Sequence, residues 1–138
     1  MHREDIRAAL DIRADATSWD RTIDITTYGS RSGQPRRIEI WFHHVDGRWF
    51  LSGSPGTRDW HANLRKDPRM LVHLKHGVEA DLPARAVPIT EPNEKRRLIT
   101  LILQGLEAMG GWTNASDANI EAWTRESPLV EIDFDTVE

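Results

Sequence analysis

Polar and apolar residues alternate with a period of two along two neighbouring segments of the chain. The first runs from Thr22 to Tyr28 and the second from Arg37 to Phe42. This period is typical of β-strands with one buried face. Asp46-Gly47 follows, a pair that accepts the positive φ angles of a tight hairpin turn. The pattern therefore predicts two antiparallel strands and a hairpin into a third strand at Arg48–Ser52.

The rest of the chain mixes three more strands with helices. Strands are predicted at Met70–Lys75, Val78–Ala86 and Val130–Phe134, where apolar positions again alternate. Helices are predicted at 2–17, around Trp60 and Leu64, from Thr90 onwards and at 116–125. Strands that cluster early and are joined by hairpins predict a mainly β (α+β) fold, a six-stranded antiparallel barrel with flanking helices.

The chain has 138 residues, of which 38% are hydrophobic, and this length suits a single domain covering 1–138. Within it we expect an N-terminal helix (1–18), the barrel strands with an arginine-rich turn (20–90), helices (91–126) and the last strand (128–135). The charged N-terminus leads into no apolar run of signal-peptide or membrane-spanning length. We therefore expect a cytoplasmic protein without a membrane span.

Charge and cysteine content exclude several function classes. The net charge of −4 argues against a general nucleic-acid binder, which normally has a basic excess. The absence of cysteine excludes disulfides, thiol nucleophiles and cysteine-ligated zinc. His43 and His44 are adjacent on a predicted strand and point to opposite faces, with no carboxylate pair at ligand spacing, so we expect no metal site.

The densest chemical feature is the turn between the first two strands, Gly29-Ser30-Arg31-Ser32-Gly33-Gln34-Pro35-Arg36-Arg37. Glycine and serine in a tight turn can present backbone N–H groups to a phosphate, and arginine adds paired donors. A solvated hairpin whose arginines only keep it in solution is the alternative, and composition alone leaves both open.

This turn, the following Ile-Glu-Ile-Trp-Phe strand, the Asp46-Gly47 hairpin and the Trp60–Pro68 segment occur together in one order and spacing. In this respect the chain resembles the deazaflavin (F420)-dependent nitroreductase family, within the FMN-binding split-barrel superfamily. The resemblance is clearest over residues 20–90 and looser over Pro128–Phe134. It implies a six-stranded antiparallel split β-barrel, a homodimer and F420 as the cofactor, with FMN as the alternative.

The resemblance also implies positions for a phosphorylated ring cofactor. Arg31 and Arg36, with Ser32 and Gly33 in the same turn, would hold its phosphate or acidic tail. The Gly53-Ser54 segment would lie against the ring system, with Trp41 and Trp60 near it. Charge and position alone add Arg37 and Arg58 as further cofactor-binding candidates. His43 lies on the Trp41 face of its strand and is a candidate for delivering a proton.

The implied activity is hydride transfer from the reduced cofactor to a small hydrophobic acceptor such as a quinone, an enone or a nitroaromatic. The alternative is a non-enzymatic split-barrel module that binds a flavin, a tetrapyrrole or a lipid. Pro55 favours that alternative, because many relatives carry a lysine at its position. The arginine turn favours the oxidoreductase.

Overall fold

A computed structural model describes residues 3–111 and 113–135 of the chain. Six strands and five helices lie in these two ranges. In chain order they are α1 (Arg3–Leu10), α2 (Ser18–Arg21), β1 (Thr22–Tyr28), β2 (Pro35–Val45), β3 (Arg48–Ser52), α3 (Asp59–Lys66), β4 (Arg69–Leu74), β5 (Ala80–Pro88), α4 (Pro92–Ala108), α5 (Asp117–Glu126) and β6 (Leu129–Phe134).

The six strands form a closed barrel in the order β1-β2-β3-β6-β5-β4, and every neighbouring pair is antiparallel. The β2–β3 connection is the predicted hairpin, in which Asp46 and Gly47 both have positive φ angles, of 57° and 67°. β6 comes from the end of the chain and pairs with both β3 and β5. The prediction of a six-stranded antiparallel barrel with flanking helices is therefore confirmed.

Two apolar cores follow from the alternation along the strands. Leu51 of β3 points into the barrel, where it packs with Phe42 and Val72. Its neighbour Phe50 points the other way, into a second core with Leu98 of α4. Helices α4 and α5 therefore cover one outer face of the barrel.

The N-terminal helix is shorter than the predicted 2–17, because α1 ends at Leu10. Side chains from other elements bind the backbone carbonyls that a longer helix would need. Trp49 Nε1 donates to Leu10 O at 2.9 Å, and Arg21 Nη2 donates to Ala14 O at 2.8 Å and Ala16 O at 2.7 Å. The i→i−4 ladder ends with Asp11 N, which donates to Arg7 O at 2.8 Å, and these tertiary hydrogen bonds take its place over residues 12–17.

The longest helix, α4, has 17 residues. Across the described parts of the chain, no helix combines the length and the apolar character needed to cross a membrane.

Candidate functional site

A groove of about 660 Å³ lies between the β1–β2 turn and the first turn of α3. We call it the arginine groove. The residues that line it include Arg31, Ser32, Arg36, Ile38, Asp59 and Trp60. The structure thus brings the turn candidates Arg31, Ser32 and Arg36 together with Trp60, which is separate from them in sequence.

The turn itself is closed by its own hydrogen bonds. Gly29 N donates to Gln34 O, and Gly33 N donates to Gly29 O, both at 2.8 Å. Gly33 has a φ of 70°, which favours glycine, and Ser32 Oγ accepts from Gln34 N at 3.1 Å. Ser32 therefore uses its hydroxyl to shape the turn. The backbone N–H groups of Arg31 and Ser32 donate to no acceptor within the described residues, so both are available to a ligand.

Asn63 of α3 fixes the turn against the helix. Its side chain is buried, with its Oδ1 accepting from Ser30 N at 2.9 Å and its Nδ2 donating to Thr27 Oγ1 at 3.1 Å. Neither Asn63 nor Thr27 was among the site residues predicted from the sequence. The sequence held one indication that Asn63 belongs to the site: Asn63 lies three residues after Trp60, within the Trp60–Pro68 segment that carries the family resemblance.

The groove offers positive charge at one end and an apolar surface beside it. In the part of the chain that the structure describes, neither Arg31 nor Arg36 has a carboxylate within 4.0 Å. Ile38 is 38% exposed and Trp60 is 6% exposed, so both give the groove apolar lining. Asp59 contributes one negative charge at the start of α3. This arrangement suits a ligand with a phosphate or carboxylate group joined to an apolar or aromatic body.

Arg37 and Trp41 point away from this groove. Arg36 is already part of β2, where it pairs with Thr27, so odd-numbered residues of the strand take the opposite face. Arg37 donates from Nε to Asp24 Oδ2 at 3.0 Å on that face. Trp41 packs against the second core, next to α4. The structure does not bring either side chain to the arginine groove.

His43 shares the face of Trp41 and is buried, with 5% exposure. Its Nδ1 lies 3.1 Å from Nη1 of Arg21, which is itself buried. Burial, and secondarily the Arg21 charge, lower the pKa of His43 to about 3. A neutral imidazole enclosed in this way has no route to deliver a proton to the groove, and its role here is to accept a hydrogen bond from Arg21.

Gly53, Ser54 and Arg58 belong to the loop that leads into α3. The Arg58 guanidinium donates to Ser54 O at 2.8 Å and to Thr57 O at 3.1 Å. It also lies over Gly53, where a Cβ atom would be 3.3 Å from Nη2. Arg58 therefore braces this loop. Arg58 also borders a second cavity, of about 460 Å³. Asp59 lines both this second cavity and the arginine groove.

The histidines of the described ranges do not gather into a ligand set. Among residues 3–111 and 113–135, no group of three or more histidine, aspartate or glutamate side chains could hold a metal ion.

The model of a known family matches residues 12–114, about three quarters of the chain. Its description is F420H(2)-dependent quinone reductase. The chain belongs to this family. The family prediction is thereby confirmed, and so is the prediction that F420 is the cofactor. As a member of the F420H(2)-dependent quinone reductase family, the chain is an F420-dependent oxidoreductase.

Solved structures share the fold of this F420H(2)-dependent quinone reductase family member. The conserved hypothetical protein Rv2991 from Mycobacterium tuberculosis has 20% identity and a TM-score of 0.70, over 98% of this chain and 81% of that one. An F420-H2 dependent reductase, FDR-A, has 16% identity and a TM-score of 0.54, over 82% and 94%. A FAD-binding protein from Mesorhizobium loti has 13% identity and a TM-score of 0.62, over 99% and 90%. At these identities the likeness shows a common fold.

The arginine groove fits a phosphorylated ring cofactor. Among residues 3–111 and 113–135, the guanidinium groups of Arg31 and Arg36 have no carboxylate partner, and two N–H groups of the turn have no acceptor. Because these donors lie beside the apolar surface of Ile38 and Trp60, one ligand can contact the donors and the apolar surface at the same time.

Proposed function

We propose that the arginine groove binds the phosphate-bearing part of F420 and that the protein catalyses the reduction of a quinone by F420H2. One observation carries this proposal: Arg31 and Arg36 line one groove, and in the described part of the chain they have no carboxylate partner, as two N–H groups of the turn have no acceptor. Guanidinium forks match the geometry of phosphate and carboxylate oxygens, so both arginines suit the phosphate or the acidic tail.

Each part of the groove has its own task in this proposal. Arg31 and Arg36 bind the anionic group, and the N–H groups of Arg31 and Ser32 complete its shell of donors. Trp60 packs against the body of the cofactor, and the ring lies towards the Gly53-Ser54 loop that Arg58 braces. Asn63 is uncharged, and its task is to hold the turn in position through its hydrogen bonds. When bound, F420H2 supplies the hydride, so the protein contributes orientation and charge pairing.

The acceptor in this proposal is a small apolar quinone, and the family description favours it over an enone or a nitroaromatic. The absence of an assigned proton donor is consistent with this choice, because a reduced quinone can take its proton from water. FMN stays the alternative cofactor.

Turnover tests the proposal directly. Purified protein is mixed with F420H2 and a naphthoquinone, and the return of F420 absorbance is followed. We expect oxidation well above the rate without protein and a smaller rate with an enone or a nitroaromatic. With reduced FMN as donor we expect no acceleration over the rate without protein. Tight F420 binding with no turnover of any acceptor would instead support the non-enzymatic binding module.

The homodimer and the cytoplasmic location stay predictions. Sedimentation equilibrium would test the first, with a mass of about twice the 15.8 kDa of the chain as the expected result.

A further inference from the structure

A separate cavity of about 600 Å³ lies between α3, α4 and α5. We call it the α3–α4–α5 cavity. It shares no lining residue with the arginine groove, but it shares six with the second cavity that Arg58 borders: His61, Arg65, Lys95, Arg125, Ser127 and Pro128. Five basic side chains converge on it from the three helices: His61, Arg65, Lys95, Arg96 and Arg125. One wall is apolar and is formed by Pro88, Ile89, Pro92 and Leu129.

Three of these cations lack counter-charges. Within the two described ranges, Arg65, Lys95 and Arg96 have no carboxylate within 4.0 Å. Arg125 differs, because it lies 3.1 Å from Glu126 and 3.7 Å from the cavity-lining Glu121, both exposed. The positive charge of the cavity therefore exceeds its negative charge.

The pKa values of two side chains in this cavity are lowered, in both cases mainly by burial. Burial lowers the pKa of Lys95, and burial followed by the charges of Arg65 and Lys95 lowers the pKa of His61. Both pKa shifts favour the uncharged form of the side chain. An anion bound between the helices would raise the pKa of both side chains.

A buried hydroxyl is also left without a partner here. Ser127 ends α5, and its backbone N–H donates to Trp123 O at 2.9 Å. Ser127 is a lining residue of the cavity and is 3% exposed, and its Oγ, which is itself buried, has no hydrogen-bond partner among the described residues. A buried hydroxyl without a partner is rare in folded proteins and calls for an explanation. A ligand oxygen next to Ser127 would provide one.

We propose that the α3–α4–α5 cavity binds a small phosphorylated molecule, with its phosphate between Lys95, Arg65 and Ser127 and its apolar body against Pro88 and Leu129. A phosphate dianion has enough charge and enough oxygens to use three unpaired cations and a hydroxyl, whereas one carboxylate has two oxygens and a single charge. The volume suits a small molecule. This site is additional to the arginine groove.

Phenyl phosphate is a suitable probe, because it joins a phosphate to an apolar ring. Titration into 15N-labelled protein should give saturable shifts at Arg65, Lys95 and Arg125, which line this cavity and not the arginine groove, with benzoate binding more weakly. The pKa of His61 should rise on binding. Lys95→Gln and Ser127→Ala should each weaken binding, Lys95→Gln by about tenfold or more. Lys66→Gln, which removes an exposed lysine of α3 outside the cavity, should leave binding unchanged.

Two variants separate this site from the F420 site. Replacing Arg31 and Arg36 with glutamine should leave phenyl phosphate binding unchanged, and Lys95→Gln should leave F420 binding unchanged. Equal binding of phenyl phosphate and benzoate, no saturation at millimolar phenyl phosphate, or unaltered affinity in Lys95→Gln would each overturn the proposal. Loss of F420 binding in Lys95→Gln would overturn it as well, since the cavity would then belong to the cofactor.

Discussion

Asn63 Oδ1 accepts a hydrogen bond from the backbone N–H of Ser30 at 2.9 Å, and this contact joins α3 to the turn that carries Arg31. The other half of the same amide donates to Thr27 Oγ1 at 3.1 Å, at the end of β1. One buried side chain therefore sets the position of the groove's cationic wall relative to its helical wall.

Replacing Asn63 with alanine should damage both stability and cofactor binding. The change leaves Ser30 N–H and Thr27 Oγ1 without their partner, which should lower the free energy of unfolding by about 1–3 kcal/mol. F420 affinity should fall because the turn is no longer held against α3. Chemical denaturation and a fluorescence titration measure the two effects.

Asn93→Ala is the matched control, since Asn93 is exposed in the first turn of α4 and away from the groove. We expect neither effect in that variant. Full F420 affinity in Asn63→Ala would show that the turn keeps its position without the helix.

The stability of the protein should depend on pH through His43. Its pKa is about 3 in the folded chain against an ordinary 6.5, so below pH 6.5 the unfolded state takes up a proton that the folded state refuses. The free energy of unfolding should therefore fall as the pH falls, by about 2 kcal/mol from this group by about pH 5.

His43→Asn isolates this contribution, because the amide oxygen can still accept from Arg21. Denaturation of both proteins at about pH 7 and about pH 5 gives the comparison. We expect the wild-type protein to lose about 2 kcal/mol more than the variant between these two values. Parallel pH dependence in the two proteins would mean that His43 titrates normally in the folded chain.

Replacing either of two neighbouring buried serines with alanine should change the free energy of unfolding, in opposite directions at the two positions. Ser52 Oγ donates to Pro128 O at 2.7 Å, so Ser52→Ala should lower the free energy of unfolding by about 1–2 kcal/mol. Ser127 Oγ has no partner in the described part of the chain, and Ser127→Ala should raise that free energy by about 1 kcal/mol. Thermal and chemical denaturation of the two variants would measure both changes in stability. A loss of stability in Ser127→Ala would contradict the prediction, because it would mean that Ser127 Oγ has a hydrogen-bond partner.

The barrel was predictable because its strands have a period of two and its β2–β3 turn has a strong local signal. Asp46 and Gly47 adopt the backbone that their residue types favour, whatever surrounds them. The end of α1 was not predictable. It depends on Arg21 and Trp49, which bind carbonyls of residues 10–16 from distant positions.

The site was predictable where it depends on one segment and not where it depends on packing. Arg31 and Arg36 lie in one short segment, the β1–β2 turn and the start of β2, so composition and resemblance were enough to mark them. Trp41 points to the other face because β2 begins early enough to include Arg36. A polar residue in a helix usually faces solvent, so apart from its place in the Trp60–Pro68 segment the sequence gives no sign that Asn63 is buried.

Titration of the protein with F420 is the most direct test of the account. Three proteins are compared by ring fluorescence: the wild-type protein, the double variant Arg31→Gln/Arg36→Gln, and Arg37→Gln, whose arginine pairs with Asp24 outside the groove. We predict that the double variant binds F420 about a hundredfold more weakly and that Arg37→Gln binds it as the wild-type protein does. Equal affinity in the double variant and the wild-type protein would contradict the assignment of the arginine groove to the cofactor.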